Sequence, residues 1–199
     1  MTSAERAVAL KRLGSKIQNC VKCPRLVASR THPAKGFGTM RLPVVLVGLN
    51  PSKRGQNESG IPFRMSDGRL IPSGRALLHD LAGLGVRFED LYFTELTKCH
   101  ASDNRPRTDE IENCLPYLVE ELKLLQPDRV VTLGRVVARA IVTIDLESAQ
   151  LVRLKHPSYV QRFLAKRPGY FRHAFQRLLR ELAEDPRDRS GGKVKRDRN

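Results

Sequence analysis

The chain has 199 residues, 40% of them hydrophobic, enough for one domain with a sizeable core. Its 36 Lys and Arg against 21 Asp and Glu give a formal net charge of +15, a balance that selects polyanionic partners and makes nucleic acid the first candidate. No apolar run reaches the ~18 residues that span a bilayer, and the N-terminus MTSAERAVALKRLGSKIQ is charged throughout, so a cytoplasmic protein without a membrane partner is expected.

Residues 3 to 19 place Ala7, Leu10, Leu13 and Ile17 at helical spacing, and this helix delivers Cys20 and Cys23. The run LPVVLVGL, bounded by Pro43 and Gly48, reads as a parallel strand buried on both faces. It stops at Asn50 and Pro51, gives way to a polar loop and closes on Phe63. SGRALLHDLAGLG forms a helix with Ser73 as its N-cap and Gly83 or Gly85 near its end. LYFTELTKC is a second strand. Thr108 to Leu125 is a long amphipathic helix with Asp109 and Glu110 in its first turn and Cys114 in its first half. DRVVTLG is a third strand, RVVARAIV a short helix behind it, and AQLVRLKHPS a fourth strand running into a loop. A helix over residues 169 to 184 closes the domain.

Strands alternating with helices predict an α/β fold: a three-layer α/β/α domain over residues 1 to 185, with a central, mainly parallel four-stranded sheet. Residues 186 to 199, PRDRSGGKVKRDRN, are a basic tail expected to be disordered.

Two constellations carry chemistry. Cys20-Val-Lys-Cys23 and the pair Cys99 and Cys114 are separated by 75 residues, and reduced cytosolic thiols at such spacing point to metal. Four thiolates suit tetrahedral zinc or a cubane iron–sulfur cluster, and spacing alone does not choose. The second constellation lies in the loops that follow the strands. A parallel sheet brings Asn50, Phe63, Glu95 and His156-Pro157-Ser158 to one edge, the place where such folds bind ligands. An amide, an aromatic face, a side chain able to read a base edge and a histidine are the parts for holding an extruded nucleobase and breaking its bond to sugar. Lys155, Arg162, Arg105 and Arg107 flank these loops and could hold phosphates, while Tyr159 or Val160 could wedge into the vacated stack.

These segments resemble the uracil-DNA glycosylase superfamily over roughly residues 15 to 180, most closely its iron–sulfur branch. The resemblance is carried by CVKCPRL, GIPF, TKCHASDNRPRTDEIENCLPYL, PDRVVTLGRVVARAI and HPS. It implies a structural [4Fe–4S] cluster, in preference to zinc, on Cys20, Cys23, Cys99 and Cys114. The first motif departs from that branch, which usually carries Gly-Glu-Ala-Pro-Gly. GLNPSKRGQNESGIPF looks more like the Gly-x-Asn-Pro-Gly motif of the mismatch-specific and single-strand-selective branches. By that likeness Asn50 positions the attacking water, and Phe63 stacks on the flipped base, with Gly48 and Leu49 beside it. His156 stabilises charge on the departing base, and Lys155, Ser158, Tyr159 and Arg162 lie against DNA.

A second departure concerns base reading. Where the branch has Thr-Asn, this chain has Thr94-Glu95. An Asn amide accepts from uracil N3–H and donates to O4; an ionised Glu only accepts, and a protonated one offers one donor and one acceptor. The implied activity is that of a monomeric, monofunctional DNA glycosylase releasing uracil or a modified pyrimidine and leaving an abasic site. The alternatives are a glycosylase specific for a modified cytosine and a non-catalytic base-binding iron–sulfur protein.

Overall fold

The computed structural model describes residues 1–164 and 169–184; the expected basic tail lies outside the described residues. Helix α1 (Ser3–Gln18) starts at Thr2, whose hydroxyl accepts from the Glu5 N–H while the Glu5 carboxylate accepts from the Thr2 N–H. It buries Leu13 and Ile17 and stops just before Cys20; a short helix α2 (Pro24–Ser29) begins directly after Cys23.

Five strands follow: β1 (Phe37–Gly38), β2 (Val44–Gly48), β3 (Tyr92–Glu95), β4 (Arg129–Leu133) and β5 (Gln150–Leu154). They lie in the order β1-β3-β2-β4-β5, with β2 to β5 mutually parallel. The helices between and after them are α3 (Pro72–Ala82), α4 (Thr108–Leu125), α5 (Arg135–Ile141), α6 (Pro157–Phe163) and α7 (Tyr170–Glu184).

Side-chain alternation along each strand divides the core between the two faces. Val44 and Leu46 join Phe93, Val131 and Leu133 on the face covered by α3, α6 and α7, where Leu77, Val160, Phe171 and Phe175 are buried. Val45 and Val47 join Tyr92 and Val130 on the opposite face, beneath Leu118 and Leu122 of α4 and Val137 and Ile141 of α5. The three layers expected from the sequence are present. Buried Asp80 of α3 locks one layer, its carboxylate accepting from the Phe171 and Arg172 N–H groups at the start of α7 at 3.0 and 3.1 Å.

Two expectations need correction. Among the described residues the sheet has five strands because Phe37–Gly38 adds an antiparallel edge to β3, a two-residue strand too short to leave a periodic signal. Helix α3 begins at Pro72 with Ile71 as its N-cap, so Ser73 lies inside the first turn; proline at the first position leaves that helix to start without a side-chain cap. Gly83 does end it.

The chain leaves β2 toward β3 on one side, then crosses to β4 on the other. The carboxyl ends of β2 and β4 therefore form the topological switch point, where the crevice of such a sheet lies.

Candidate active site

The loop after β2 is fixed by hydrogen bonds from the segment after β3. Thr97 donates to the Leu49 carbonyl through both its backbone N–H and its hydroxyl at 3.0 Å, and the Leu96 N–H reaches the Gly48 carbonyl at 2.9 Å. The Pro51 carbonyl accepts from Asn50 Nδ2 at 3.1 Å and from Nδ1 of buried His100 at 2.8 Å. With its amide nitrogen held there, Asn50 presents Oδ1 as a free acceptor.

Further along, Phe63 sits at φ 60°, a left-handed conformation that costs a bulky residue ~1–2 kcal/mol. A Cβ at Gly74 would meet the Phe63 Cβ at 2.6 Å, so glycine in α3 is what admits the ring. Phe63 packs edgewise on Phe93 and Phe88, with centroids 5.1 and 5.6 Å apart, and is nearly buried.

His156 forms the N-cap of α6. Its Nδ1 accepts from the Ser158 N–H at 3.1 Å and lies 2.7 Å from the Ser158 hydroxyl. Burial, with a smaller push from Arg162, lowers its pKa below the usual imidazole value. The ring is therefore neutral at pH 7, and with Nδ1 accepting, the proton resides on Nε2. Its Cβ lies 3.3 Å from where a Cβ on Gly134 would stand, so His156 leans over the end of β4 toward the switch point.

Glu95 ends β3 in register with Gly48, and a Cβ on Gly48 would collide with its carboxyl group. It is 6% exposed, and its Oε2 has no hydrogen-bond partner. Burial pushes its pKa up to about 8, against a smaller opposite pull from Lys98.

The carboxyl ends of the parallel strands thus hold Gly48, Leu49 and Asn50 after β2, Glu95 at the end of β3 and His156 after β5, while Phe63 closes the β2 loop. Beside His156 opens a cavity of about 800 Å³ whose lining includes Arg135, Arg139, Arg153, Lys155 and Tyr159, with no acidic side chain. It does not extend to Asn50, Phe63 or Glu95. Exposed Tyr159 pairs with exposed Phe163 at 4.9 Å, with Lys155 over the Tyr159 ring at 5.3 Å. Val160 is buried against the core and cannot serve as a wedge. Arg162, Arg105 and Arg107 are exposed.

The four cysteines are free, and Cys23, Cys99 and Cys114 are buried. Three sulfurs receive N–H groups: Cys23 from Asn113 at 3.6 Å, Cys99 from Arg30 at 3.7 Å and Cys114 from the Lys98 backbone at 3.5 Å. Burial raises all three thiol pKa values, Cys114 to about 11, and neighbouring thiols add to the rise: Cys20 acts on Cys23 and Cys99, Cys23 on Cys99 and Cys114. The four side chains are thus electrostatic neighbours despite their separation in sequence. Among the described residues no three or more His, Cys, Asp or Glu close around a position for a single ion.

Four residues escaped sequence reasoning. Lys98 and Glu121 form a buried ion pair at 2.6 Å, His100 fixes Pro51, and buried Gln56 leaves its Oε1 unpartnered in the β2 loop. The only sequence signal was the polar stretch TKCH at the end of an apolar strand.

Fold and edge together define a doubly wound α/β protein with a polar site at its switch point. The profile of the Uracil DNA glycosylase superfamily matches residues 35–179. A type-4 uracil-DNA glycosylase of Pyrobaculum aerophilum is 37% identical over 134 residues, covering 67% of this chain and 64% of the relative. One of Archaeoglobus fulgidus is 36% identical over 146 residues, covering 72% and 69%. The crystal structure of Pedobacter heparinus SMUG2 shares the fold, with a TM-score of 0.56 at 15% identity, covering 71% of this chain and 76% of that one. The chain belongs to the uracil-DNA glycosylase superfamily. Its match spans about two thirds of the length of these curated relatives.

Proposed function

We propose that the chain is a monofunctional DNA glycosylase that hydrolyses the N-glycosidic bond of an extruded uracil and leaves an abasic site. The observation that carries this reading is the hydrogen bond from the Ser158 N–H to His156 Nδ1: it places the ring proton on Nε2, and with burial keeping the imidazole neutral, Nε2–H is left as the donor at the carboxyl edge. A neutral donor stabilises the negative charge that develops on a departing base without having to surrender its own proton. As the C1′–N1 bond stretches, its electron pair leaves with the base and the sugar becomes oxocarbenium-like. A water held by Asn50 Oδ1 then adds its oxygen to C1′, and its proton finishes on the released base. The amide is no base, and a cationic sugar needs none stronger. Phe63 supplies the face on which the base stacks.

DNA is the partner that fits the charge. The cationic cavity beside His156 and the Tyr159–Phe163 pair suit a phosphodiester backbone and an unstacked base step. Cys20, Cys23, Cys99 and Cys114 would hold a [4Fe–4S] cluster. Thiols brought together in the interior with N–H donors on three sulfurs fit a metal-bound quartet of thiolates, and the likeness to the iron–sulfur branch favours a cubane over zinc. The cluster would neutralise the thiolates and tie α1 and α2 to the segment after β3 and to α4.

A second reading, a glycosylase acting on a modified cytosine, is favoured by Glu95 at the base-reading position. Incubation with oligonucleotides bearing uracil, hydroxymethyluracil or substituted cytosines separates the two. Release of uracil supports the first and release of a substituted cytosine alone supports the second. Tight binding without release of any base defeats both.

A further inference from the structure

Two glutamates are buried on either side of Lys98, and an ammonium has three donors to distribute. Lys98 gives one to the Thr94 hydroxyl at 2.7 Å, one to the Glu95 backbone carbonyl at 2.8 Å and one to the Glu121 carboxylate at 2.6 Å. The Glu121 Oε2 also takes the Thr94 hydroxyl at 2.7 Å, and its Oε1 lies 3.5 Å from the Tyr92 hydroxyl. The charge of Lys98 is thereby matched by Glu121, and no donor remains for the Glu95 carboxyl.

Glu95 is left buried, with an unpartnered Oε2, at the end of β3 against Gly48. Among the other groups at the carboxyl edge, Gly48 and Leu49 carry no charge, His100 is engaged with the Pro51 carbonyl, and His156 after β5 is neutral. A carboxylate there would be charged and desolvated with only the pull of Lys98 to offset it, a pull smaller than the cost of burial, and proteins resolve that by neutralising the group.

Resting on the glycosylase reading above, we propose that Glu95 meets the extruded pyrimidine as a neutral carboxylic acid, donating one hydrogen bond to its edge and accepting another. This makes Glu95 a specificity-determining residue of an unusual kind. The order of donor and acceptor in an amide is set by its orientation, whereas an acid can carry its proton on either oxygen. It therefore matches both the N3–H and O4 of a uracil-type edge and the N3 and N4–H of a cytosine-type edge. Gly48 is part of the device, because a side chain there would expel the carboxyl from its place.

The test is single-turnover base release at saturating enzyme between pH 7 and pH 9, for the unmodified chain and Glu95→Gln. With ionisation near pH 8, release by the unmodified chain falls ~10-fold over this range, while the Gln variant, whatever its absolute rate, keeps a ratio near one. An infrared difference spectrum of the two proteins at pH 7 should show the carbonyl stretch of a protonated carboxyl in the unmodified chain alone. A flat profile for the unmodified chain, an equal fall in the variant, or absence of that stretch overturns the assignment of Glu95 while leaving the glycosylase reading intact. Failure of both proteins to release any pyrimidine overturns the enzymatic reading itself.

Discussion

The interior around Glu121 and the carboxyl edge around Glu95 lie within reach of the same lysine and differ in one respect. Glu121 is 1% exposed by its side chain and has a partner on each oxygen, whereas Glu95 is almost as deeply buried and keeps an oxygen unpartnered. Gln56, in the loop after β2, likewise keeps a buried acceptor open. Buried polar groups are normally satisfied, and a completed network stabilises a fold, whereas groups left open at a strand edge are available to a ligand. The contrast separates residues whose polar atoms are spent on the fold from residues whose polar atoms are left open.

The sharpest break in that contrast is expected at the edge. Asn50→Ala should lower base release by ~10²–10⁴-fold while leaving the melting temperature nearly unchanged, and His156→Ala should lower it as far at the added cost of the α6 cap, ~1 kcal/mol, read by single-turnover kinetics and thermal denaturation. The interior should respond in the opposite way. Lys98→Met strands Glu121 as an uncompensated buried charge and should cost ~3–5 kcal/mol of unfolding free energy, measured by denaturant titration. A smaller effect links the two regions through pH. Because Glu95 keeps its proton up to about 8 in the folded chain, against an ordinary value of 4.5, its contribution to stability is greatest below 4.5 and is lost as pH rises through 8. Glu95→Gln should remove that decline from the pH dependence of melting. The smallest change is expected in the cationic cavity: Arg139→Ala or Arg153→Ala should reduce the salt dependence of DNA binding by about one unit of slope each.

Much of this architecture was legible because it rests on periodicity. Strands β2 and β4 announce themselves as β-branched runs, VVLVG and RVVTL, and helix α4 as an amphipathic stretch with acidic residues in its first turn. The cysteine pairs were legible by type and spacing. Strand β1 was not, because two residues carry no period. Between Tyr159 and Val160, offered as alternatives, the sequence does not choose, because one position along a short helix turns a side chain from solvent to core, where Val160 joins the buried cluster. Lys98 was hidden for a different reason. A lysine at the end of a strand reads as solvated, and only the folding back of its side chain onto Thr94 and Glu121 reveals that it is 1% exposed.

The doubly bonded Pro51 carbonyl has a consequence for anyone who would move this chemistry elsewhere. Asn50 owes its orientation to an oxygen that His100, about fifty positions downstream, also grips. Grafting the Asn50 loop onto another scaffold without a counterpart of that imidazole would transplant the side chain with the freedom to rotate, and its amide would lose the fixed aim that the proposed hold on water requires.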